Sequence, residues 1–272
     1  MIKKTQNLEE RDIRPLFPNM VTMLALACGV SSMQFAFWGN WSFAVVCIAL
    51  AAIFDALDGR VARYLNISSK FGAELDSLSD LVSFGVAPGF LMYQWTMDPV
   101  IRAQAITVGS KDPLAVGVPW VIVLFLAMCC ALRLARFNTM LEEEPMPDYW
   151  KHFFVGLPAP GGAYVALMPL VFFLWTNDPI FRNPDLVSVF MIVSAVLMAS
   201  RIPTPSFKKI HFPRVNLFYR QLAVVCMLAV IALSVTMMLK NFWIFASIVG
   251  LIYLVMLPLG IVYFLYLKKN AK

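Results

Sequence analysis

Eight apolar runs, separated by short polar turns, fill most of the chain: roughly 18–38, 41–64, 74–96, 115–137, 158–176, 185–200, 221–239 and 242–267. A helix crosses a bilayer with about 20 mostly apolar residues. The sixth run is the shortest, and the others are long enough to span. No internal repeat, low-complexity tract or soluble domain interrupts the series. The pattern therefore predicts an all-α protein, a polytopic membrane helix bundle of about eight spans.

Composition agrees. Of 272 residues 60% are hydrophobic and 14% charged, with mean hydropathy +0.74, whereas soluble domains carry roughly 25% charged residues. The opening seventeen residues, MIKKTQNLEERDIRPLF, are polar and contain acids. A cleaved signal peptide starts with a basic stretch and an apolar core. The first run is thus expected as a retained span, with the leader lying along the membrane surface.

Charge sets the orientation. With both termini cytoplasmic and eight crossings, only Arg102, Lys111, Arg182 and Lys240 of the 22 basic residues fall on the far side. Lysine and arginine collect on the cytoplasmic side of membrane proteins. The net charge of +6 then becomes a basic cytoplasmic face attracted to anionic membrane phospholipids. No nucleic acid partner is expected, because the basic residues are scattered over loops between spans. The five cysteines lie in apolar runs without metal-ligand spacing, and the two histidines stand alone, which argues against a zinc site or a disulfide framework.

One stretch breaks the apolar pattern. DALDGRVARYLNISSKFGAELDSLSD, from Asp55 to Asp80, holds four aspartates, two arginines, a lysine and a glutamate. An aspartate in a spanning helix costs at least ~2.5 kcal/mol at the centre and usually has a function. Asp55 lies only about 12 Å along the helix from Arg63, just below the headgroups. Asp55 and Asp58 share one helix face, as do Asp76 and Asp80 on the next span. A short cytoplasmic turn between the two helices would bring the four carboxylates together, and they would then need cations between them. Hard divalent ions such as Mg²⁺ prefer oxygen ligands and complete their shells with phosphates. Gly59, Ala62 and Gly72 leave bare helix surface beside the acids, and Arg63 is placed to fork onto a phosphate.

The spacing Asp55-x2-Asp58-Gly59-x2-Ala62-Arg63-x8-Gly72-x3-Asp76-x3-Asp80 resembles, without departure, the signature of the CDP-alcohol phosphotransferases. That resemblance implies a six-helix membrane core, here with two further C-terminal spans, and commonly a homodimer. It implies that Asp55, Asp58 and Asp76 hold one or two divalent cations, Mg²⁺ or Mn²⁺. Asp80 would complete the metal site and act as the catalytic base. Gly59, Ala62, Arg63 and Gly72 would line the nucleotide pocket. PNMVT looks like the family's entry to the first span, so Asn19 and Thr22 are candidates to touch the nucleotide, with capping of the first helix as the other reading.

The acceptor must be read elsewhere. ALRLARFNT places Arg133, Arg136 and Asn138 level with the acids, where the arginines could bind an acceptor carboxylate or simply anchor the span. LDSLSDLVSFGVAPGFLMY, ALRLARFNT, FVGLPAPGGA and LMASRIPTPSFKK are similar to segments of the multi-span phosphatidylserine synthases. This resemblance implies transfer of a phosphatidyl group from CDP-diacylglycerol to the hydroxyl of L-serine, with release of CMP, at a cytoplasmic site in a cell inner or plasma membrane. Glycerol 3-phosphate, inositol phosphate and choline are alternative acceptors, and a cation transporter is a remote alternative. The domain plan is an interfacial segment 1–17, a single transmembrane catalytic domain 18–268 and a tail 269–272. The last two spans, 221–267, are expected only to pack, and the basic loop RIPTPSFKKIHFPRVN to anchor the surface or guide the donor.

Overall fold

The computed structural model describes residues 16–65, 69–96, 113–140, 153–205, 234, 236–238 and 240–270. Within them, seven helices occupy seven of the eight expected runs. They are α1 (Leu16–Phe37), α2 (Trp41–Tyr64), α3 (70–96), α4 (Pro113–Met140), α5 (Ala159–Thr176), α6 (Pro184–Ala199) and α7 (Phe242–Asn270). Nearly all of the expected span 221–239, residues 1–15 of the polar leader and the basic loop after residue 205 lie outside the described residues; Leu16 and Phe17 already belong to α1. Five of the helices are long and apolar enough to cross a membrane, and the chain is an integral membrane protein. Of the other two, α6 has only 16 residues and α3 carries the acids.

Lipid offers helices no hydrophobic drive to associate, so close packing of small residues and interhelical hydrogen bonds must hold them. α1 illustrates this. Its buried positions, Pro18, Thr22, Ala25, Gly29, Ser32 and Ala36, form one stripe of small residues. α3 lies along that stripe. The Ser79 hydroxyl donates to the Thr22 carbonyl at 3.2 Å, and Ser83 donates one turn further to Ala25 at 3.4 Å. A Cβ on Gly29 would lie 2.8 Å from the Ser83 Cα, so glycine permits the crossing.

α1 and α2 pack along most of their length. The reversal between them uses Gly39 at φ +72, a left-handed conformation that glycine adopts freely. Asn40 then caps α2 by accepting from the Phe43 N–H. α3 starts at the Ser69 cap, which accepts from the Gly72 N–H at 2.9 Å. Midway, Leu81–Val86 widens into a π-helical stretch, with the Ala87 N–H reaching back to the Val82 carbonyl. Pro88, which has no N–H to give, follows directly.

α5 is the central helix: 56% of its span is buried inside the bundle, against 28% or less for the other long apolar helices. It packs on α6 and α7. A two-stranded antiparallel pair, absent from the sequence expectation, closes one end. β1 (Phe153–Val155) aligns with β2 (Pro203–Pro205), Phe154 opposite Thr204. Gly156 leaves β1 at φ +76, and a Cβ there would come within 2.7 Å of the Ser200 carbonyl.

Gly29→Ala is expected to destabilise the bundle by about 1–3 kcal/mol, the usual cost of overpacking, read as a lower thermal unfolding midpoint in detergent. Ser83→Gly in the same chain should recover part of the loss. An unchanged midpoint in Gly29→Ala would show that α1 and α3 do not depend on this contact.

Candidate active site

α2 and α3 carry the acids, and their crossing with α1 gathers them. Asp55, Asp76 and Asp80, all half-buried, each place a carboxylate oxygen within 4.8 Å of the others. Asp58 stands slightly apart and is the most deeply buried of the four, 5% exposed. It accepts a hydrogen bond from the Thr22 hydroxyl at 2.6 Å and lies within hydrogen-bond reach of Asp76. Three carboxylates thus converge, and the fourth joins them through Asp76.

Next to the acids opens a cavity of about 180 Å³. Its wall includes Asn19, Thr22, Gly59, Ala62 and Gly72, five of the residues expected in a nucleotide pocket, together with Asp58 and Asp76. Nothing lies within 4 Å of where a Gly59 side chain would start, so its bareness enlarges the opening. Gly72 is closed in instead: a Cβ there would meet the Ser69 Oγ at 3.0 Å and the Asn19 Oδ1 at 3.2 Å. Arg63 is not part of this wall. Its Nε donates to the Gly59 carbonyl of its own helix at 2.9 Å.

The α4 residues divide into three tasks. Arg133 reaches into the bundle, within electrostatic range of Asp55 and Asp80. Its Nε is buried with no hydrogen-bond partner, and it forms no ion pair among the described residues. Arg136 turns elsewhere: its Nη1 donates to the carbonyls of Ala199 and Ser200 at 2.9 and 3.1 Å, where a cation suits a helix C-terminus. Asn138 donates to the Ser77 hydroxyl at 3.0 Å, which fixes α4 to the residue after Asp76.

Sequence reasoning did not foresee the Thr22–Asp58 bond, the Ser69 cap or the Ser77 partner. Ser69 and Ser77 flank the acids on α3, a signal that could have suggested them, whereas Thr22 lies on the acid-free α1. As a set, the site has what phosphoryl transfer from a pyrophosphate requires: clustered hard oxygen ligands for a cation and a bare cavity beside them. The carboxylates have no compensating ion pair among the described residues, and a set of that kind suits a divalent cation.

A family model described as CDP-alcohol phosphatidyltransferase matches residues 15–201, and the chain belongs to that family. Several bacterial relatives bear the name CDP-diacylglycerol–serine O-phosphatidyltransferase. The Mycobacterium leprae protein is 37% identical over 222 residues, covering 82% of this chain and 67% of that protein. The Mycobacterium tuberculosis H37Rv protein is 36% identical over 196 residues, 72% of this chain and 62% of its own. The Bacillus subtilis protein is 33% identical over 195 residues, 71% of this chain and 91% of its own. The chain therefore spans about two thirds of the length of the mycobacterial relatives.

Thr22→Val, which keeps the shape and removes the hydroxyl, should lower CMP release about tenfold, the scale of one hydrogen bond to a charged group. Thr22→Ser should stay within a few-fold of the parent. Equal rates in all three proteins would show that the Asp58 contact has no bearing on turnover.

Proposed function

We propose that this protein is a phosphatidylserine synthase that moves the phosphatidyl group of CDP-diacylglycerol onto L-serine and releases CMP. The observation that carries the reading is the convergence of Asp55, Asp76 and Asp80 beside a cavity walled by Gly59, Ala62 and Gly72. The names of the relatives support serine as the acceptor. The buried Nε of Arg133, without a hydrogen-bond partner among the described residues, supports it too, because serine brings a carboxylate that a guanidinium fork binds.

In this reading the serine hydroxyl oxygen bonds to the lipid-side phosphorus as that phosphorus parts from the bridging oxygen, which leaves with CMP. Asp80 takes the hydroxyl proton. Asp55, Asp58, Asp76 and Asp80 would together hold one or two divalent cations, Mg²⁺ or Mn²⁺. A cation bound there would supply Lewis-acid neutralisation of charge on the pyrophosphate. Thr22 fixes the Asp58 carboxylate, while Asn19, Gly59, Ala62 and Gly72 leave room for the nucleotide. Arg63 would have to release the Gly59 carbonyl to reach a phosphate. Arg133 orients serine by its carboxylate. Arg136, engaged with the end of α6, acts on the acceptor only by setting α4 in place, and Asn138 does so through Ser77. The charge asymmetry of the loops supports a cytoplasmic site and cytoplasmic termini, and acids near the membrane surface let the donor keep its acyl chains in the bilayer.

The deciding assay is CMP release by purified protein given CDP-diacylglycerol, Mg²⁺ or Mn²⁺ and one alcohol at a time. Serine-dependent release that EDTA abolishes is expected. Release with glycerol 3-phosphate, inositol phosphate or choline in place of serine would overturn the acceptor and keep the transfer. Asp80→Asn should abolish turnover while donor binding persists, and near-parental turnover would refute its role as base. Arg133→Ala should raise the serine KM well beyond any change in donor KM.

A further inference from the structure

The last helix was expected only to pack, yet one of its residues enters the site. α7 has 29 residues, about 43 Å of helix at 1.5 Å per residue, against about 30 Å of hydrocarbon. Near its C-terminal end Phe264 meets the Phe153 ring of β1 edge-on at 5.2 Å between centroids. The packing of α7 on α5 brings the middle of α7 beside the first turn of α5. There Tyr253 lies over Gly161: a Cβ on that glycine would collide with the Tyr253 hydroxyl and come within 3.0 Å of its Cζ.

Tyr253 differs from its neighbours on the helix. Tyr263 and Tyr266 are 54% and 61% exposed, as tyrosines of an interfacial belt are. Tyr253 instead packs against the core and lies within electrostatic range of Arg133. Its hydroxyl has no hydrogen-bond partner among the described residues, and neither has the buried Nε of Arg133. Buried polar groups are almost always paired. The orphaned Nε of Arg133, within electrostatic range of Asp55 and Asp80 on one side and of the half-buried Tyr253 phenol on the other, marks a place for an anionic group that could accept from both donors.

We propose that Tyr253 is a specificity-determining residue of the transfer, its hydroxyl binding the carboxylate end of the acceptor beside Arg133 and above Gly161. This rests on the serine reading for the identity of the acceptor. Gly161 is then glycine because the phenol occupies the space of a side chain, and α7 is part of the site rather than a structural addition to it.

The test varies acceptor and donor separately in the CMP-release assay with the full chain in detergent. Tyr253→Phe is expected to raise the acceptor KM about tenfold, as loss of one hydrogen bond to a charged group does, with the donor KM within about twofold. Gly161→Ala, which displaces the phenol, should move the acceptor KM in the same direction, and Tyr263→Phe should move neither. An unchanged acceptor KM in Tyr253→Phe would overturn the proposal. So would a donor KM raised as much as the acceptor KM, which would place the anion on the donor phosphates. The unaltered protein tests the serine reading in the same experiment. If it releases CMP with a different alcohol, that reading fails and Tyr253 is judged on the KM for that alcohol.

Discussion

Three half-buried carboxylates with oxygens within 4.8 Å of one another repel when ionised, and burial weakens the screening between them. Two charges about 4 Å apart interact by about 4 kcal/mol at an effective dielectric near 20. Such a cluster does not assemble by itself; the bundle must force it. Each strong constraint near the site serves this end. The serine seam of α3 presses Asp76 and Asp80 toward α1, Thr22 holds Asp58, and Arg133 stands within range without neutralising any one acid. Such tension suits a cation site, because an arrangement unfavourable by itself would become favourable with a cation between the acids.

The polar end of the bundle distributes the remaining work. The segments FVGLPAPGGA and LMASRIPTPSFKK are far apart in the chain but meet through the β1–β2 pair, and the Thr204 hydroxyl donates to the Gly156 carbonyl at 2.8 Å. Arg136 ties ALRLARFNT to the same place through Ala199 and Ser200. Segments that stand out separately in the sequence thus form one connected brace. That brace positions α4, and with it Arg133, against the acids.

What the sequence made legible was local. Apolar run length located the helices, with α2 falling on residues 41–64 as expected. Helical spacing placed the aspartates on shared faces, and the small residues among them do border the cavity. Pairings between distant residues were not legible. Thr22 and Asp58 are 36 positions apart, Ser77 and Asn138 are 61 apart, and no periodicity specifies which hydroxyl meets which acid. Arg63 and Arg136 were open to several partners by charge alone, and backbone carbonyls took them both. The β pair escaped notice because three-residue strands, one of them Pro-Thr-Pro, leave almost no pattern.

The π-helical stretch 81–86 has an effect beyond its own turn. In a regular helix each residue advances by about 100°, so one extra residue wound into a turn rotates everything after it by about that angle relative to everything before. In α3 the part before the stretch presents Asp76 and Asp80 to the other acids, and the part after it presents Gly89 to Val123 of α4. Without the insertion a single rigid helix would have to satisfy both neighbours with one orientation. With it, the azimuth of the acids and the azimuth of the packing surface are set independently, so changes in how α3 seats against α4 need not turn the carboxylates out of alignment.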